Sequence, residues 1–283
     1  MAARLAGESP SRPWPLPPGP GGQPALSCGA MNASPRPVAL VTGAARRLGA
    51  AIARGLHAAG YDLALHYRHS GAAMQALVDE LEAVRGGSTL ALQADLAHFD
   101  RLPELVAQTI GRFGRLDALV NNASGFGPTP LGTVTPAQWD ILFASNARAP
   151  FFLAQAAAPH LAAARGAIVN MLDIHGRRPL RDHAVYCMAK AALDMATRSL
   201  ALELAPHVRV NAIAPGAILW PEQPAPATAG ADEERRTALL ARTPLARTGT
   251  PEEVAEAVRW LLQGATYCTG QVLRLDGGRL LEG

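Results

Sequence analysis

Tyr186 and Lys190 lie four residues apart in a stretch whose pattern predicts a long helix, so their side chains share one face. A phenol is a very weak acid at neutral pH, and a nearby ammonium group lowers its pKa because it favours the phenolate. Lys190 is the single lysine in a chain that has 26 lysine and arginine residues. An arginine has a different shape and does not lose its charge. The pair therefore indicates a proton-transfer site, in which Lys190 can also hold a ribose hydroxyl group.

A turn with two glycines near the start of the chain indicates where a phosphate-bearing ligand would lie. An apolar run at Val38–Thr42 predicts a buried strand, and Arg47–Ala59 predicts the helix that follows it. Gly43 and Gly49 allow a pyrophosphate to approach the free amide groups at the helix N-terminus. Arg47 takes the place of the middle glycine that is usual in such turns. The pattern favours a dinucleotide site over an ordinary strand–helix turn.

The end of the second predicted strand, Tyr61–Tyr67, bears on the choice between NAD and NADP. An acidic residue there would accept a hydrogen bond from the ribose 2′-hydroxyl group of NAD. The chain has Arg68, His69 and Ser70 instead, with Arg46 available from the first turn. These donors suit a 2′-phosphate, so the sequence predicts NADP (NADPH). A solvated strand end with unrelated polar residues is the alternative.

From residue 37 onward, strand and helix patterns alternate. Further strands are predicted at 89–94, 118–120, 167–171, 208–212 and 272–275, and further helices at 71–84, 102–112, 149–163, 184–204, 232–241 and 251–262. This alternation predicts an α/β fold, a Rossmann-like doubly wound parallel sheet with helices on both faces, formed as a single domain by residues 37–283. Residues 1–36 are rich in proline and glycine and are predicted to be a disordered extension, with Met1 or Met31 as the start.

Composition argues against several classes of function. The net charge of +3 and the lack of a basic block in the sequence argue against nucleic-acid binding. The three cysteines, Cys28, Cys187 and Cys268, are far apart and form no Cys-x-x-Cys pair. They predict no disulfide framework and no metal site, and they fit a reducing cytoplasm. No apolar run of the sequence approaches the roughly 18 residues of a membrane span. We therefore expect a cytoplasmic protein that works on a small molecule.

Taken in order, these motifs resemble the short-chain dehydrogenase/reductase family. The resemblance covers about residues 37–281 and rests on Thr42–Gly49, Asn121–Ser124, Asn146, the Tyr186/Lys190 pair, Asn211–Gly216 and Asp276–Gly278. It implies catalysis by Tyr186 and Lys190 with support from Asn146. It also implies that a nicotinamide cofactor contacts Gly43, Arg46, Arg47, Leu48, Gly49, Tyr67, Arg68, His69, Ser70, Asp95, Leu96, Asn122, Ala123, Ser124, Lys190, Pro215 and Gly216.

One departure from the family pattern points to a branch of the family. The serine that usually follows the fifth strand, where it polarises a carbonyl group, is replaced by Asp173. This replacement resembles the pteridine reductases and the related dihydromonapterin reductases, as do the segments Arg46–Gly49, His66–Ser70, Asn122–Phe126, Pro128–Leu131 and Asp276–Leu280. The resemblance implies a pterin substrate that is contacted by Arg47, Ser124, Phe126, Asp173, Tyr186 and Trp220.

The chemistry of a carboxylate agrees with this resemblance. Asp173 would accept hydrogen bonds from the amino and ring N–H groups of a pterin. Reduction of a C=N bond then requires a hydride from NADPH and a proton from Tyr186 or from the network around Asp173. Phe126 would stack on the pterin, opposite the nicotinamide. The expected substrates are dihydrobiopterin or dihydromonapterin, and dihydrofolate is a further candidate.

Two alternatives remain at the level of the sequence. The chain could be an ordinary short-chain carbonyl or alcohol oxidoreductase in which Asp173 takes the place of serine. It could also be a non-catalytic NADP-binding regulatory module, although Tyr186 and Lys190 argue against this. The Pro-rich segment 220–230 is expected to form a lid over the substrate. By resemblance, exposed apolar faces on the predicted helices 149–163 and 184–204 imply a homotetramer.

Overall fold

A single parallel sheet lies at the centre of the molecule. The computed structural model describes residues 36–218 and 229–281. Within these residues the strands are β1 (Val38–Val41), β2 (Asp62–Tyr67), β3 (Thr89–Gln93), β4 (Ala118–Asn121), β5 (Ala167–Met171), β6 (Arg209–Pro215) and β7 (Val272–Leu275). Their order across the sheet is β3-β2-β1-β4-β5-β6-β7. The central strands β1, β4 and β5 are buried throughout and apolar except for Asn121 and Asn170, as expected for a parallel sheet that is covered on both faces.

Helices cover both faces of this sheet. They are α1 (Arg47–Ala58), α2 (Gly71–Val84), α3 (Leu102–Phe113), α4 (Pro136–Phe143), α5 (Ala149–Ala164), α6 (Ala184–Leu204), α7 (Ala229–Ala241) and α8 (Pro251–Gln263). On one face, α1, α2 and α8 pack on the strands through residues such as Ile52 and Val258. On the other face, α3, α5 and α6 pack around Leu105, Leu153 and Leu200.

Alternate residues of β1 belong to the two different cores. Ala39 and Val41 lie in the core beneath α1, whereas Val38 and Leu40 lie in the core beneath α3 and α5. This division follows from the strand geometry, in which successive side chains point to opposite faces of the sheet. An apolar run without polar alternation is therefore the pattern that a strand buried on both faces needs.

The chain order reverses on either side of β1. This strand pairs with β2 on one side, in register Val38↔Asp62, and with β4 on the other, in register Leu40↔Leu119. Such a reversal opens a crevice at the carboxyl ends of the strands, which is where ligands bind in open α/β sheets. The predicted α/β fold with a parallel, doubly wound sheet is confirmed.

The structure differs from the sequence-based elements by more than one residue in the places that follow. Residues 124–148, for which the sequence suggested no element, contain α4 and one π-helical turn, Ala144–Arg148. Strand β6 continues to Pro215 instead of ending at Ala212, and α7 begins at Ala229 instead of Asp232. Residues 1–35, Trp220 and its neighbours in 219–228 lie outside the described residues. The disordered extension, the lid and the role of Trp220 therefore stay predictions.

Candidate active site

The turn after β1 brings the backbone very close to the end of β4. Gly43 has a φ of 63°, which favours glycine, and a Cβ atom at this position would lie 2.9 Å from the Ala123 Cα atom. A Cβ atom at Gly49 would lie 2.7 Å from the Asn122 Nδ2 atom. The two glycines that define the turn in the sequence therefore occupy positions where the packing leaves no room for a side chain.

Hydrogen bonds hold the end of β4 to this turn. The Thr42 hydroxyl oxygen accepts from the backbone N–H groups of Asn122 at 2.9 Å and Ala123 at 3.0 Å. In return, the Asn122 amide group donates to the carbonyl oxygens of Thr42 at 2.9 Å and Gly43 at 3.0 Å. Thr42 was not among the residues proposed for the site, although it opens the glycine motif. The bonds define one wall of the crevice between β1 and β4.

The N-terminus of α1 opens onto the same crevice. Arg46 precedes the helix without making a side-chain cap, and the first turn has no acidic residue. The amide groups there and the positive end of the helix dipole are suited to a pyrophosphate. Arg47 is exposed and has a φ of 52°, a left-handed conformation that explains why glycine is common at this position. The partly buried Leu48 side chain packs against the core beneath α1 and connects the turn to it.

The donors that follow β2 lie at the same carboxyl edge. Arg68 and His69 are exposed, and Arg68 lies 3.8 Å from the carboxylate of Asp95, which follows β3. Ser70 precedes α2 without a side-chain cap. Tyr67 and Leu96 complete this edge, with Leu96 buried in the core. The structure thus places the proposed adenosine-binding residues beside the glycine turn.

Asp173 and Tyr186 are brought into direct contact. The Tyr186 hydroxyl group donates to Asp173 Oδ2 at 2.8 Å, and Asp173 Oδ1 accepts from the His175 backbone N–H at 2.8 Å. Asp173 follows β5, and Tyr186 lies in the first turn of α6. Lys190 is buried, with its Nζ atom 5.7 Å from the centre of the Tyr186 ring. The ammonium group donates to the Met171 carbonyl oxygen at 2.8 Å.

The ionisation of this group differs from the sequence-based expectation. Burial and the charge of Asp173 raise the pKa of Tyr186, whereas we expected Lys190 to lower it. The physical reasons are that the phenol is buried and that its hydrogen bond goes to the Asp173 carboxylate, while the Lys190 ammonium group is directed to the Met171 carbonyl oxygen. Burial also lowers the pKa of Lys190 to about 8, against a smaller opposing effect of Asp173. The phenol of this structure is therefore a proton donor and is disfavoured as a phenolate.

Asn146 connects two parts of the site from within the π-helical turn. Its side-chain amide group donates to the carbonyl oxygens of Gly125 at 2.8 Å and Leu142 at 2.9 Å. Its carbonyl oxygen accepts from the Ser124 hydroxyl group at 2.7 Å. Ser124 also forms a hydrogen bond that lowers the pKa of Tyr186, although the burial and Asp173 effects are larger. Asn146 thus positions Ser124 next to the phenol.

Phe126 forms an aromatic cluster with Tyr186 and His183. Its ring stacks on the His183 ring with 4.6 Å between centroids, and it meets the Tyr186 ring edge-on at 4.9 Å. Phe126 is nevertheless 62% exposed, so a large part of its surface is accessible at the mouth of the site. His183 was missed in the sequence, where its position immediately before α6 was the available signal. The ring stack supports Phe126 from the side of α6.

The remaining proposed contact lies at the end of β6. Pro215 is buried, and the Gly216 backbone N–H donates to the Leu275 carbonyl oxygen at 2.9 Å. Both residues lie at the carboxyl edge that also carries the glycine turn and Asp173. Of the residues proposed from the sequence, all but Trp220 are therefore described at this edge or directly behind it.

Comparison with known proteins agrees with this geometry. Residues 43–279 match the family model described as enoyl-(acyl carrier protein) reductase. Pteridine reductase 1 of Leishmania tarentolae is 39% identical in an alignment 290 positions long, which covers 88% of this chain and 98% of that protein. This chain belongs to the short-chain dehydrogenase/reductase family. A 3-oxoacyl-(acyl-carrier-protein) reductase of Synechocystis sp. is 36% identical over 255 residues, which cover 89% of this chain and 100% of that protein.

As a short-chain dehydrogenase/reductase, the chain is an oxidoreductase that uses a nicotinamide cofactor. The residues present fit such a cofactor, because the glycine turn is packed tightly against the end of β4 and the first turn of α1 has backbone amide groups without a side-chain cap. Across residues 36–218 and 229–281, no helix combines the length and apolar character needed to cross a membrane. The same residues contain no group of three or more histidine, cysteine or acidic side chains arranged to hold a metal ion.

Proposed function

We propose that this oxidoreductase is an NADPH-dependent pteridine reductase, which reduces a C=N bond of a dihydropterin. The observation that carries the proposal is the hydrogen bond of 2.8 Å between the Tyr186 hydroxyl group and the Asp173 carboxylate. A hydroxyl donor at the position of Asp173 would suit a carbonyl reductase better, because a carboxylate repels the negative charge that develops on a carbonyl oxygen. A pterin instead offers N–H groups, for which a carboxylate is the matching acceptor.

The substrate lies between Asp173 and Phe126 in this proposal. Each carboxylate oxygen of Asp173 accepts one hydrogen bond from the protein, so each retains a further lone pair for a pterin N–H group. The exposed part of the Phe126 ring provides an aromatic surface on which the flat pterin stacks. Ser124 and Arg47 supply further polar contacts, one from the end of β4 and the other from the glycine turn. Trp220 is proposed as an additional substrate contact.

The protein supplies the proton of the reaction. The cofactor, when bound, provides the hydride for the carbon atom of the C=N bond. The nitrogen atom requires a proton, and we assign its donation to the Tyr186 phenol, which is protonated at neutral pH. Burial and Asp173 raise the pKa of Tyr186 and so make the phenol a weaker acid, and the Ser124 hydrogen bond opposes this with a smaller effect. Asp173 holds the phenol in place, and Lys190 lies behind its ring, where it can bind the ribose of the cofactor. This assignment of roles makes Asp173, Tyr186 and Lys190 catalytic residues and Asn146 their positioning residue.

NADPH is the proposed form of the cofactor because of the groups at the end of β2. Arg68, His69 and Ser70 occupy the place where an acidic residue would select NAD. Arg68 is exposed and its neighbour Asp95 is 3.8 Å away, so the guanidinium group has donors to spare for a 2′-phosphate. The exposed Arg46 adds positive charge from the adjacent turn.

A second candidate is reduction of a carbonyl group with Asp173 in the serine position. The observation that favours it is the similarity to the 3-oxoacyl-(acyl-carrier-protein) reductase of Synechocystis sp., at 36% identity against 39% for Pteridine reductase 1. The two functions are separated by measuring NADPH oxidation with dihydrobiopterin, dihydromonapterin, dihydrofolate, acetoacetyl thioester and a simple ketone. We expect kcat/KM for a pterin to exceed that for the carbonyl compounds by at least about 100-fold. The reverse order would establish the carbonyl reductase instead.

The role of Asp173 is tested by the substitution Asp173→Ser. We expect kcat/KM for the pterin to fall by at least about 100-fold, because a charged acceptor for the pterin N–H groups is lost. The Kd for NADPH, measured by cofactor fluorescence, is expected to change less than about threefold, since Asp173 is assigned to the substrate. Asp79→Ser, which removes an exposed carboxylate on α2, is the matched control. Equal losses in pterin turnover and NADPH affinity would contradict the substrate role.

We also propose that the enzyme is a cytoplasmic homotetramer. The support is an exposed apolar stripe along α6 that contains Met188, Met195 and Leu202, together with the half-exposed Phe151 on α5. Exposed apolar side chains on neighbouring helices are a common feature of subunit interfaces. A cytoplasmic location is supported by the free thiols of Cys187 and Cys268, which are the two cysteines in the described part of the chain.

A further inference from the structure

His66 is a buried polar side chain at the end of β2 with a defined hydrogen-bonding state. It is 2% exposed, and both nitrogen atoms of its ring have partners. The Gly43 backbone N–H donates to His66 Nδ1 at 3.2 Å, and His66 Nε2 lies 3.1 Å from the Ala94 carbonyl oxygen. Because the N–H group can only donate and the carbonyl oxygen can only accept, the ring must be neutral with its proton on Nε2.

This one ring joins three segments that border the cofactor crevice. Gly43 belongs to the turn after β1, His66 is the last residue but one of β2, and Ala94 follows β3. The backbone reinforces the connection, because the Ala44 N–H donates to the His66 carbonyl oxygen at 2.9 Å. Gly43 is also the residue that has a left-handed backbone conformation and packs closely against Ala123. The imidazole therefore holds the cofactor turn at the point where its geometry is most restricted.

We propose that His66 is a positioning residue for the dinucleotide turn, and that its protonation loosens this turn and weakens cofactor binding in acid. A proton on Nδ1 would place a second donor opposite the Gly43 N–H donor, so the hydrogen bond would be replaced by repulsion. The cofactor itself need not contact the imidazole. His66 acts through the backbone of Gly43, which faces the crevice.

The surroundings of His66 determine the pH range of this effect. Burial lowers the pKa of the imidazole, and the Ala94 carbonyl and the charge of Asp95 oppose this with smaller effects. Asp95 is the charged side chain that affects the pKa of the ring. Its carboxylate lies 3.8 Å from the Arg68 guanidinium group. The glycine turn contacts the ring through a backbone N–H group. Because the folded-state pKa is lowered, the stabilisation is present above the ordinary histidine pKa and is lost as the pH falls through the lowered value.

Two isosteric substitutions separate the two hydrogen bonds. In His66→Asn the amide oxygen takes the place of Nδ1 and keeps an acceptor for Gly43, whereas in His66→Gln the amide nitrogen reaches toward Ala94 and leaves Gly43 without a partner. We expect the Kd for NADPH to stay within about threefold in His66→Asn and to rise about tenfold in His66→Gln, the effect of one lost hydrogen bond. In the protein without cofactor, the Gly43 amide hydrogen should exchange faster in His66→Gln than in His66→Asn.

The pH profile is the readout that a purely structural role would not change. As the pH falls below about 6, the Kd for NADPH should rise more steeply in the wild-type protein than in His66→Asn. The cofactor's own phosphate also titrates in this range, but it affects both proteins equally, so the difference between their profiles reports on His66. His57→Asn is the matched control, because His57 is a buried, hydrogen-bonded histidine on α1 that pairs with Ser88 away from the turn. It should keep the wild-type profile. Identical profiles for wild type and His66→Asn, or equal losses of affinity in both His66 variants, would overturn the proposal.

One measurement on the wild-type protein keeps the proposal testable if the His66 variants do not fold. In a nitrogen-15 spectrum of the histidine side chains at neutral pH, His66 should have the tautomer protonated on Nε2. Protonation on Nδ1 at neutral pH would overturn the proposal without any substitution.

Discussion

A buried ammonium group and a protonated phenol lie side by side at the centre of this site. Lys190 is enclosed, and its amine donates to a backbone carbonyl oxygen of Met171. Tyr186 donates to Asp173, which keeps the phenol protonated. In a reduction, the group that must be ready before hydride transfer is a proton donor. The protonated phenol of the protein without cofactor is therefore the state from which a reduction would begin.

The titration of Lys190 should be visible in the stability of the protein without cofactor. Burial lowers its pKa from an ordinary value of 10.5 to about 8. Between these values the unfolded chain binds a proton that the folded protein does not, so the free energy of unfolding should increase with pH. We expect a gain of up to about 3 kcal/mol between these values, measured by urea unfolding. In Lys190→Met this increase should disappear, and parallel pH profiles for the two proteins would contradict the assignment.

Arg68 is expected to discriminate between the two nicotinamide cofactors. Removal of its guanidinium group in Arg68→Ala should weaken NADPH binding by about 10- to 100-fold, because a charge-assisted contact to the 2′-phosphate is lost. NADH has no 2′-phosphate, so its Kd should change less than about threefold. Both constants can be measured by cofactor fluorescence, with Arg101→Ala as the control, because Arg101 is an exposed arginine that pairs with Glu104. A uniform effect on both cofactors would argue against a 2′-phosphate contact.

At the scale of elements, the π-helical turn Ala144–Arg148 gives the site its internal support. The wider turn inserts between α4 and α5 and directs Asn146 inward, where it is completely buried. Insertions of this kind are frequent at functional sites. Through Gly125 and Ser124, Asn146 fixes the loop that carries Phe126. The position of the aromatic platform thus depends on one irregular turn of helix.

Asn146→Ala should therefore reduce both stability and turnover. The carbonyl oxygens of Gly125 and Leu142 lose a donor, and we expect the free energy of unfolding to fall by about 1–3 kcal/mol. The kcat should fall at least about tenfold, because Ser124 loses its acceptor and the loop with Phe126 loses its support. Ser145→Ala removes the hydroxyl group that accepts from the Gly125 N–H at 3.1 Å and makes two longer hydrogen bonds, to Ile141 and Asn146. Because the carbonyl oxygens of Gly125 and Leu142 keep Asn146 as their donor, we expect a cost of about 1 kcal/mol and a kcat nearly unchanged. Similar losses of kcat in both variants would contradict a special role for Asn146.

The elements of this fold differ in how clearly the sequence encodes them. Strand β7 and helices α2 and α6 end where the sequence predicts, because an apolar run or a helical pattern is bounded by turn residues or proline. Helix α4 was missed, although Thr135 and Gln138 form a capping box that marks its start. The π-helical turn has no comparable sequence signal, since its inserted residue is selected by tertiary packing.

The site shows the same division. The spacing of Tyr186 and Lys190 and the glycine motif could be found in the sequence, because the helix and the turn place them locally. The ammonium group's bond to the Met171 carbonyl oxygen could not, since a backbone acceptor leaves no trace in residue types. The raised pKa of Tyr186 likewise depends on a distance between β5 and α6 that exists only after folding.

At the scale of the whole molecule, the site assembles from the carboxyl ends of strands that are far apart in the chain. The turn after β1, the ends of β2 and β4, and the start of α6 after β5 all meet at the same edge. The opposite faces of α5 and α6 are left with exposed apolar side chains. The edge of the sheet thus serves the cofactor and substrate, and the helical flank is available for a second copy of the chain.

Association through this flank can be tested with charged substitutions. Met195 and Leu202 are 62% and 82% exposed on α6. If they form a subunit interface, Met195→Glu with Leu202→Glu should convert the tetramer into smaller species, because like charges would be buried against each other. Val84→Glu, at a 78% exposed position on α2, should leave the mass unchanged in sedimentation experiments. A wild-type protein that sediments as a monomer would contradict the proposed assembly.

The enclosure of Lys190 makes the protein unusual toward amine-directed reagents. Apart from the α-amino group, this chain has one amine, and folding hides it behind the Tyr186 ring. Acylating or methylating agents should therefore modify almost nothing on the surface of the folded protein. The rate at which Lys190 is modified would then report how often the site opens and exposes its amine. A single isotope-labelled methyl group introduced there by reductive methylation would give one side-chain resonance for following cofactor binding.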